Sequence, residues 1–378
     1  MNNNDASRDG TAPQTIYSAV GFSSGKSVLD GLPNDVSFDL LATGGHSTVC
    51  STAPINERKS ESYQTEAQLE KAFIEQLKRQ AYEYIAPSSE ADLIANIRIQ
   101  LEKLNNYHFS DDEWQRFFSS SISSANEGIK EKTRRIQEDY VQNLVRDDGS
   151  TKNIKLIDKK NIHNNHLQVM NQYTQQGTYE NRYDVTILCN GLPLVHVELK
   201  KRGVNLKEAF NQIERYQRDS FWSGSGLFEY VQIFVISNGT HTKYYSNTTR
   251  FSAAEENRGN SSKGKKTSNS FEFTCWWAAA DNVPIQDLVP FTKTFFAKHT
   301  LLNILTKYCV FTEEELLLVM RPYQIVATER ILNRILVSEN NPSMLGQRRR
   351  VVTFGILRVP VRRSRVLKRH VWLLVWRE

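Results

Sequence analysis

Cysteine is scarce in this chain, and the few cysteines do not pair. The four are far apart in the sequence, with no CxxC among them, so the pattern predicts reduced thiols rather than a disulfide framework or a zinc site. No apolar run is long enough to cross a membrane. The first ten residues, MNNNDASRDG, lack the basic and apolar regions of a signal peptide. The sequence therefore predicts a cytoplasmic protein without a membrane partner.

A uniformly basic composition is also missing, although the net charge is +6. Residues 348–378 contain ten Lys or Arg and one acid. Setting aside this +9 leaves −3 for residues 1–347. Charge alone therefore gives no ground for a nucleic-acid partner.

The organisation along the chain is that of an α/β protein. Residues 1–60 are rich in Asn, Ser, Gly, Thr and Asp and predict a disordered or loosely structured segment. Within them, GFSSGKS is one residue short of a phosphate-binding loop and follows no apolar strand, so we interpret it as a flexible polar segment. The predicted elements then alternate between helix and strand, which indicates a mixed sheet: helices from 63 to about 146, strands at 153–158 and 166–174, a hairpin at 183–203, a helix over 205–219, strands at 230–237 and 271–277, and helices over 286–336.

The hairpin YDVTILCNGLPLVHVELKKRG, residues 183–203, carries charges where a sheet core is expected. Alternation places Glu198 and Lys200 on one face of its second strand. A three-residue turn, or a two-residue Asn-Gly turn corrected by a bulge, sets Asp184 opposite Glu198, whereas an uncorrected two-residue turn pairs Asp184 with Val197. We predict the register that brings the two carboxylates together.

Two carboxylates at a strand end form a hard oxygen site that suits Mg²⁺, and the Leu199 carbonyl between them offers a third ligand. Such a metal polarises a phosphate and activates a bound water, and Lys200 beside it can hold that water or neutralise developing charge. The alternative is a plain ion pair at a sheet edge. His196 shares the face, and we interpret it as a packing histidine.

The helix that follows adds a polar pair. Gln212 and Tyr216 are four residues apart and hence on one helical face. Their side chains can donate to phosphate oxygens or orient a metal ligand. An exposed polar face is the alternative for the same spacing.

Taken together, Asp184, Glu198-Leu199-Lys200 and Gln212-x-x-x-Tyr216 resemble the motifs of PD-(D/E)XK nucleases of the RecB-like branch. Residues 63–336 more closely resemble the amino-terminal part of the motor-nuclease (R) subunit of type I restriction enzymes. The segments that carry this resemblance are EKTRRIQEDYVQNLVRDDGSTKNIKLID, the long run from NRYDV to YYSN, and FTKTFFAKHTLLNILTKYCVF. The resemblance implies a mixed central sheet flanked by helices, with a nuclease domain over 61–285 and a helical linker leading into a motor over 286–347.

The resemblance also implies roles for individual residues. Asp184 and Glu198 would bind Mg²⁺, Lys200 would assist catalysis, and Gln212 and Tyr216 would support cleavage. The family's first helix carries a glutamate near the site, and Glu70 fits that position best, with Glu66 as the rival. The implied partners are double-stranded DNA and the methyltransferase and specificity subunits. A catalytically silent remnant or interaction module is the alternative to an active nuclease.

The segment MRPYQIVATERIL resembles the entry to an ATP-driven motor, in which Arg321 and Gln324 would contact adenine. A plain amphipathic helix start explains the same residues. The phosphate loop expected next is absent, and residues 348–378 are both arginine-rich and apolar. Codons chosen for Val352 to His370 give YIWHTTGSGKTLTSFKAA when they are read in a shifted frame. We therefore expect an out-of-frame tail from about 348 and no ATP hydrolysis, although a genuine basic tail is the alternative.

Overall fold

A computed structural model describes residues 64–124, 126–249, 270–279 and 282–330. The expectations for residues 1–60, the shifted frame and the basic tail lie outside this part of the chain. Within the described residues, no helix is both long and apolar enough to cross a bilayer. The helices are α1 (Glu66–Arg79), α2 (Glu90–Asn105), α3 (Asp111–Phe117), α4 (Ile129–Gln137), α5 (Leu206–Asp219), α6 (Leu288–Phe295) and α7 (Lys298–Lys307).

Seven strands form the central mixed sheet, in the order β1-β4-β5-β6-β7-β8-β9. Strand β1 is parallel to β4 and β6 is parallel to β7, and the other neighbours are antiparallel. A separate hairpin, β2-β3, lies between α4 and β4 in the chain. The strands are β1 (Glu83–Tyr84), β2 (Val141–Val145), β3 (Thr151–Lys155), β4 (Leu167–Gln176), β5 (Glu180–Cys189), β6 (Leu192–Leu199), β7 (Ile233–Ser237), β8 (Thr242–Ser246) and β9 (Cys275–Trp276). The predicted α/β class with a mixed sheet is confirmed.

The β5-β6 hairpin uses the two-residue Asn190-Gly191 turn, and both turn residues have positive φ angles. This turn alone would pair Asp184 with Val197. A bulge between Ile187 and Leu188 shifts the register, so that Val185 lies opposite Val197. The predicted alternative, a bulge that brings Asp184 next to Glu198, is confirmed.

Helices cover both faces of the sheet because their apolar stripes have the helical repeat. Helix α1 begins at a capping box between Thr65 and Gln68, and α5 begins at Asn205, whose side chain caps the Lys207 N–H. On the α5 side, the Phe210 ring lies 4.9 Å from that of Tyr245. The neighbouring Tyr244 lies 5.1 Å from Phe295 of α6. Because successive strand residues point to opposite faces, α5 and α6 pack on opposite sides.

The chain after α7 differs from the predicted helices. Strands β10 (Cys309–Phe311) and β11 (Leu317–Val319) form an antiparallel hairpin there. The helical spacing predicted for 286–336 therefore fails over 309–319, because the short apolar run CVF is followed by the turn-forming TEEE rather than by another apolar turn of helix. The chain is helical again over 322–330, as predicted. Before α7, the Phe296 carbonyl accepts a 2.7 Å hydrogen bond from the Tyr82 hydroxyl, so the end of α6 contacts the segment that follows α1.

Candidate active site

The two hairpin carboxylates meet where β5 separates from β6. The last paired residues are Val185 and Val197, and beyond them the Asp184 Oδ2 accepts a 2.8 Å hydrogen bond from the Leu199 backbone N–H. Glu198 is fully buried. The Lys200 ammonium lies 2.7 Å from Glu198 Oε1 and 3.1 Å from the Leu199 carbonyl oxygen. The structure thus brings Asp184, Glu198, Leu199 and Lys200 into one cluster, as predicted from the hairpin.

Burial makes this cluster electrostatically costly when no cation is added. Burial, followed by the neighbouring Glu198, raises the pKa of Asp184 to about 7. Burial raises the pKa of Glu198 to about 7 as well, against the opposing effect of Lys200. Burial acts to lower the pKa of Lys200, but the charges of Glu198, Asp184 and Glu66 outweigh it and raise that pKa. Two carboxyl groups that resist ionisation at neutral pH are typical of functional sites.

His196 is a packing residue, as interpreted from the sequence. Its ring is fully buried and makes edge contacts with Tyr183, Tyr216 and Phe221. Its Nδ1 lies 3.3 Å from the Thr186 hydroxyl, and burial lowers the pKa of His196 to about 4. The histidine is therefore neutral at physiological pH and does not offset the negative charge of Glu198.

Gln212 and Tyr216 lie on one face of α5 and contact each other. The Gln212 side-chain amide donates to the Tyr216 hydroxyl, which in turn donates to the Arg182 carbonyl at 3.0 Å. Both side chains line the same cleft as Asp184 and Lys200. The pair therefore links α5 to the start of β5, two residues before Asp184.

The two candidate glutamates on α1 have different surroundings. The Glu70 carboxylate accepts hydrogen bonds from the Asn171 and Gln172 amides on β4. Glu66, the rival residue, lines the cleft and accepts a 3.3 Å hydrogen bond from the Lys201 N–H. The family pattern favours Glu70 as the glutamate near the site. Glu66 and Glu70 are four residues apart on one helix face, so their spacing cannot distinguish them. The structure places Glu66 rather than Glu70 at the cleft.

The cleft has a volume of about 580 Å³ and contains arginines that sequence reasoning did not single out. Arg182 and Arg215 are exposed there, and Arg218 is paired with Asp219 at 2.8 Å. The spacing of Arg215 from Gln212 on α5 was a usable signal, because residues three apart share a helix face. The sequence carries no such signal for Arg182, since its position in the cleft depends on where β5 separates from β6.

The donor set fits a hard cation only in part. Among the described residues, no group of three or more His, Cys, Asp or Glu side chains gathers in a metal-binding arrangement. Glu198 Oε2, however, is buried and accepts no N–H or hydroxyl hydrogen bond from any residue that the structure describes, and the Asp184 and Glu198 carboxyl groups contact each other. Such a contact requires a proton or a cation between the oxygens. Asp184, Glu198 and the Leu199 carbonyl would be the ligands, with water completing the shell.

The residues predicted to contact adenine lie at a helix start. The Gln324 side-chain oxygen accepts a 2.8 Å hydrogen bond from the Arg321 N–H, so this oxygen is engaged in capping the helix. The chain is helical over 322–330. This geometry is that of the plain helix start, and the adenine contact stays a prediction.

Asp184→Asn is expected to stabilise the protein in EDTA. Because the pKa of Asp184 is about 7 in the folded state against an ordinary 3.8, the folded protein holds a proton that the unfolded chain has lost between about pH 4 and pH 7. The stability of the wild type therefore falls as pH rises through this window. Asparagine removes this penalty, so thermal denaturation should show a gain of up to about 4 kcal/mol at pH 8 and little gain at pH 4. Asp112→Asn, on the exposed first turn of α3, should show no such pH-dependent gain, and a variant less stable than wild type at pH 8 would contradict the electrostatic account.

The mixed sheet, the carboxylate pair at its splayed strands and the adjacent lysine define a PD-(D/E)XK-like nuclease fold. Residues 63–253 match the family described as Type I restriction enzyme R protein N terminus (HSDR_N). The chain belongs to this family, and the predicted resemblance is confirmed.

Curated relatives support the same assignment. The chain is 52% identical over 277 residues to the Escherichia coli protein named type I restriction enzyme EcoprrI endonuclease subunit, in an alignment that covers 73% of this chain and 84% of that protein. It is 36% identical over 285 residues to the SsaAORF53P endonuclease subunit of Staphylococcus saprophyticus, and 35% identical over 286 residues to the SauMSSORF170P endonuclease subunit of Staphylococcus aureus. These alignments cover 74% of this chain but 28% of each staphylococcal protein.

Proposed function

We propose that this chain is a Mg²⁺-dependent DNA endonuclease module of a type I restriction enzyme. The observation that carries the proposal is the carboxylate pair of half-buried Asp184 and fully buried Glu198, beside Lys200 at the wall of an open cleft. Bound Mg²⁺ would supply Lewis-acid stabilisation of the scissile phosphate and a water of lowered pKa. Asp184, Glu198 and the Leu199 carbonyl would hold it.

The chain's own residues divide the remaining work. The Lys200 ammonium, within 3.1 Å of the Leu199 carbonyl, is placed to neutralise negative charge on the phosphate or to hold the attacking water. The Gln212–Tyr216 pair fixes the backbone of Arg182 through the 3.0 Å hydrogen bond to its carbonyl. Arg182 and Arg215 are exposed in the cleft, where their charges would attract DNA phosphates.

Plasmid nicking by the purified chain tests this function. Supercoiled DNA should be nicked when Mg²⁺ is present and left intact when EDTA is present. Since the chain does not include a target-reading subunit, the cuts should fall without sequence preference. Absence of nicking at high protein concentration would reject endonuclease activity of the chain by itself.

One observation favours a catalytically silent module as the second candidate. The Lys200 ammonium hydrogen-bonds Glu198 Oε1 and the Leu199 carbonyl oxygen, and both belong to groups that would hold the metal. Metal binding therefore requires Lys200 to move or to share these oxygens. If Mg²⁺ neither binds nor promotes nicking, the chain is an interaction module that contacts DNA or the methyltransferase subunits.

The rest of the assembly is also part of the proposal. We infer that the chain works in the cytoplasm with double-stranded DNA and the methyltransferase and specificity subunits. We further infer that residues from about 348 onward are translated out of frame. The nucleotide sequence around codons 340–352 tests this directly, and the absence of a one- or two-base slip there would reject the frameshift.

Arg182→Ala and Arg215→Ala are each expected to weaken DNA binding several-fold without sequence dependence. Each removes one phosphate contact, so the slope of log K against log salt should fall by about 1 per substitution. Fluorescence anisotropy at several salt concentrations measures both quantities. Arg79→Ala, at the exposed end of α1, removes the same charge outside the cleft and should leave the slope unchanged. An equal change for all three variants would contradict the proposed interface.

A further inference from the structure

Strand β4 changes the face it presents at Gln172. The side chains of Asn171 and Gln172 are consecutive, yet both donate to the Glu70 carboxylate on α1. In a regular strand consecutive side chains point to opposite faces. The φ angle of Gln172 is +53°, a left-handed value that is uncommon for a residue other than glycine in the middle of a strand. The backbone at Gln172 therefore reverses the alternation of β4.

Strand β5 makes the same change at the paired position. Asn171 lies opposite Val185 and Tyr173 lies opposite Tyr183, which places Gln172 opposite Asp184. On the C-terminal side of Asp184, the Thr186 hydroxyl contacts the His196 ring. On the N-terminal side, the centroid of the Tyr183 ring lies 5.7 Å from that of the same His196 ring. Thr186 and Tyr183 are an odd number of residues apart, so a regular strand could not present both to His196. The reversal lies between them, where Asp184 is.

This reversal explains the direction of the Asp184 carboxylate. Its Oδ2 accepts from the backbone N–H of Leu199, a group that lies in the plane of the sheet rather than on a face. The regular pairing of β5 with β6 ends at Val185 and Val197. Asp184 consequently points into the gap between the two strands, toward Glu198.

The side-chain contacts at Gln172 hold its unusual backbone. Its amide nitrogen is bound by Glu70, and its Oε1 is buried without a hydrogen-bond partner among the described residues. Glu70 is itself nearly buried on α1 and is also bound by Asn171. Local strain of this kind persists where surrounding contacts fix it, and it gathers at functional sites.

We propose that Gln172 is a positioning residue for the nuclease site, and that its left-handed backbone, held by Glu70, directs the Asp184 carboxylate into the metal-binding gap. The inference rests on the proposed nuclease function and deepens it. In this proposal Glu70 acts through Gln172 rather than on the metal or the DNA, which explains why Glu70 lies outside the cleft.

Substitutions of Gln172 that differ in how well they tolerate a left-handed φ angle test the proposal. Gln172→Gly and Gln172→Asn tolerate a left-handed φ, whereas Gln172→Val disfavours it and Gln172→Ala is intermediate. We expect Gly and Asn to nick DNA within about threefold of wild type, and Val to lose about 100-fold in single-turnover rate at saturating DNA, because a misplacement of about 1 Å has effects of this size. The dissociation constant for DNA should stay unchanged, since the arginines of the cleft are untouched. The rise in melting temperature on adding Mg²⁺ should follow the same order as the rates.

The matched control is Gln176→Val, the same substitution at an exposed position of β4. It should leave both the rate and the Mg²⁺-induced stabilisation at the wild-type level. If Gln172→Val fails to fold, the comparison of Gly and Asn with Ala decides the question. Wild-type behaviour of Val or Ala, or equal losses in all four variants, would overturn the proposal.

Failure of this inference is distinguishable from failure of the proposed function. If Asp184→Asn abolishes nicking while Gln172→Val does not change it, the nuclease function stands and the positioning role falls. If the wild type does not nick DNA, the proposed function falls. The Mg²⁺-induced rise in melting temperature then tests Gln172 on its own, and its absence in the wild type rejects the positioning role as well.

Discussion

Asp184→Asn is expected to lower the Mg²⁺-dependent nicking rate by at least about 100-fold. The substitution keeps an oxygen that can accept from the Leu199 N–H, but it removes the negative charge that would bind the metal. Even residues that only support a metal ligand commonly contribute about 10–100-fold to activity or affinity. Single-turnover nicking with excess protein measures the rate of the chemical step.

The control for this prediction is Asp112→Asn, which changes an exposed carboxylate on the first turn of α3. Its nicking rate should match that of the wild type. Thermal denaturation of Asp184→Asn in the assay buffer separates loss of activity from unfolding, and we expect this variant to be folded because it removes a carboxyl group that resists ionisation. Equal rates for the wild type and Asp184→Asn would point to a contaminating nuclease and reject the site.

Lys132→Met is expected to destabilise the fold by about 3–5 kcal/mol. The Lys132 side chain is 2% exposed, and its ammonium lies 2.9 Å from Glu229 Oε2 and 2.8 Å from the Gly226 carbonyl. Removing it leaves the mostly buried Glu229 without its cation. The melting temperature should fall by about 10 °C, as measured by calorimetry.

Two comparisons sharpen this stability prediction. Lys78→Met removes an ion pair of the same 2.9 Å length on the exposed surface of α1, and it should cost less than about 1 kcal/mol. Adding Glu229→Gln to Lys132→Met should recover part of the loss, because the uncompensated charge is then gone. A loss equal to that of Lys78→Met, or no recovery in the double variant, would contradict the role given to the buried pair.

The Lys132 contact matters for the site because of the segment that it holds. Residues 225 and 226, whose carbonyls Lys132 binds, lie between Phe221 and Phe228. These two rings pack against Tyr183 at 5.2 and 4.5 Å. The buried lysine therefore holds the segment whose aromatic rings pack against the strand that carries Asp184.

Much of the fold was predictable because its signals are local. The helix after the hairpin was predicted over 205–219 and runs over Leu206–Asp219, since its apolar stripe has a clear helical repeat. The convergence of Asp184 with Glu198 was predictable only as one of the possible registers of the hairpin, since strand alternation allows it. The two-residue turn alone would have given the other register, and the bulge between Ile187 and Leu188 corrects it.

The remaining features depend on contacts between distant segments. The choice between Glu66 and Glu70 depends on where α1 crosses the strands, and their spacing carries no information on that point. Gln172, whose φ is left-handed, is hydrogen-bonded to Glu70 about a hundred residues earlier, and local sequence carries no signal for such a contact. The β10-β11 hairpin was missed because a three-residue apolar run is compatible with either helix or strand.

We propose above that Asp184 and Glu198 hold a Mg²⁺ ion in this chain. Calorimetric titration of the purified protein with Mg²⁺ at neutral pH tests it most directly, with Asp184→Asn titrated in parallel. We expect saturable binding of about one ion per chain to the wild type and no comparable binding to the variant. Binding to the wild type should release protons, because metal binding displaces protons from its ligands. Identical titrations of the two proteins would contradict it.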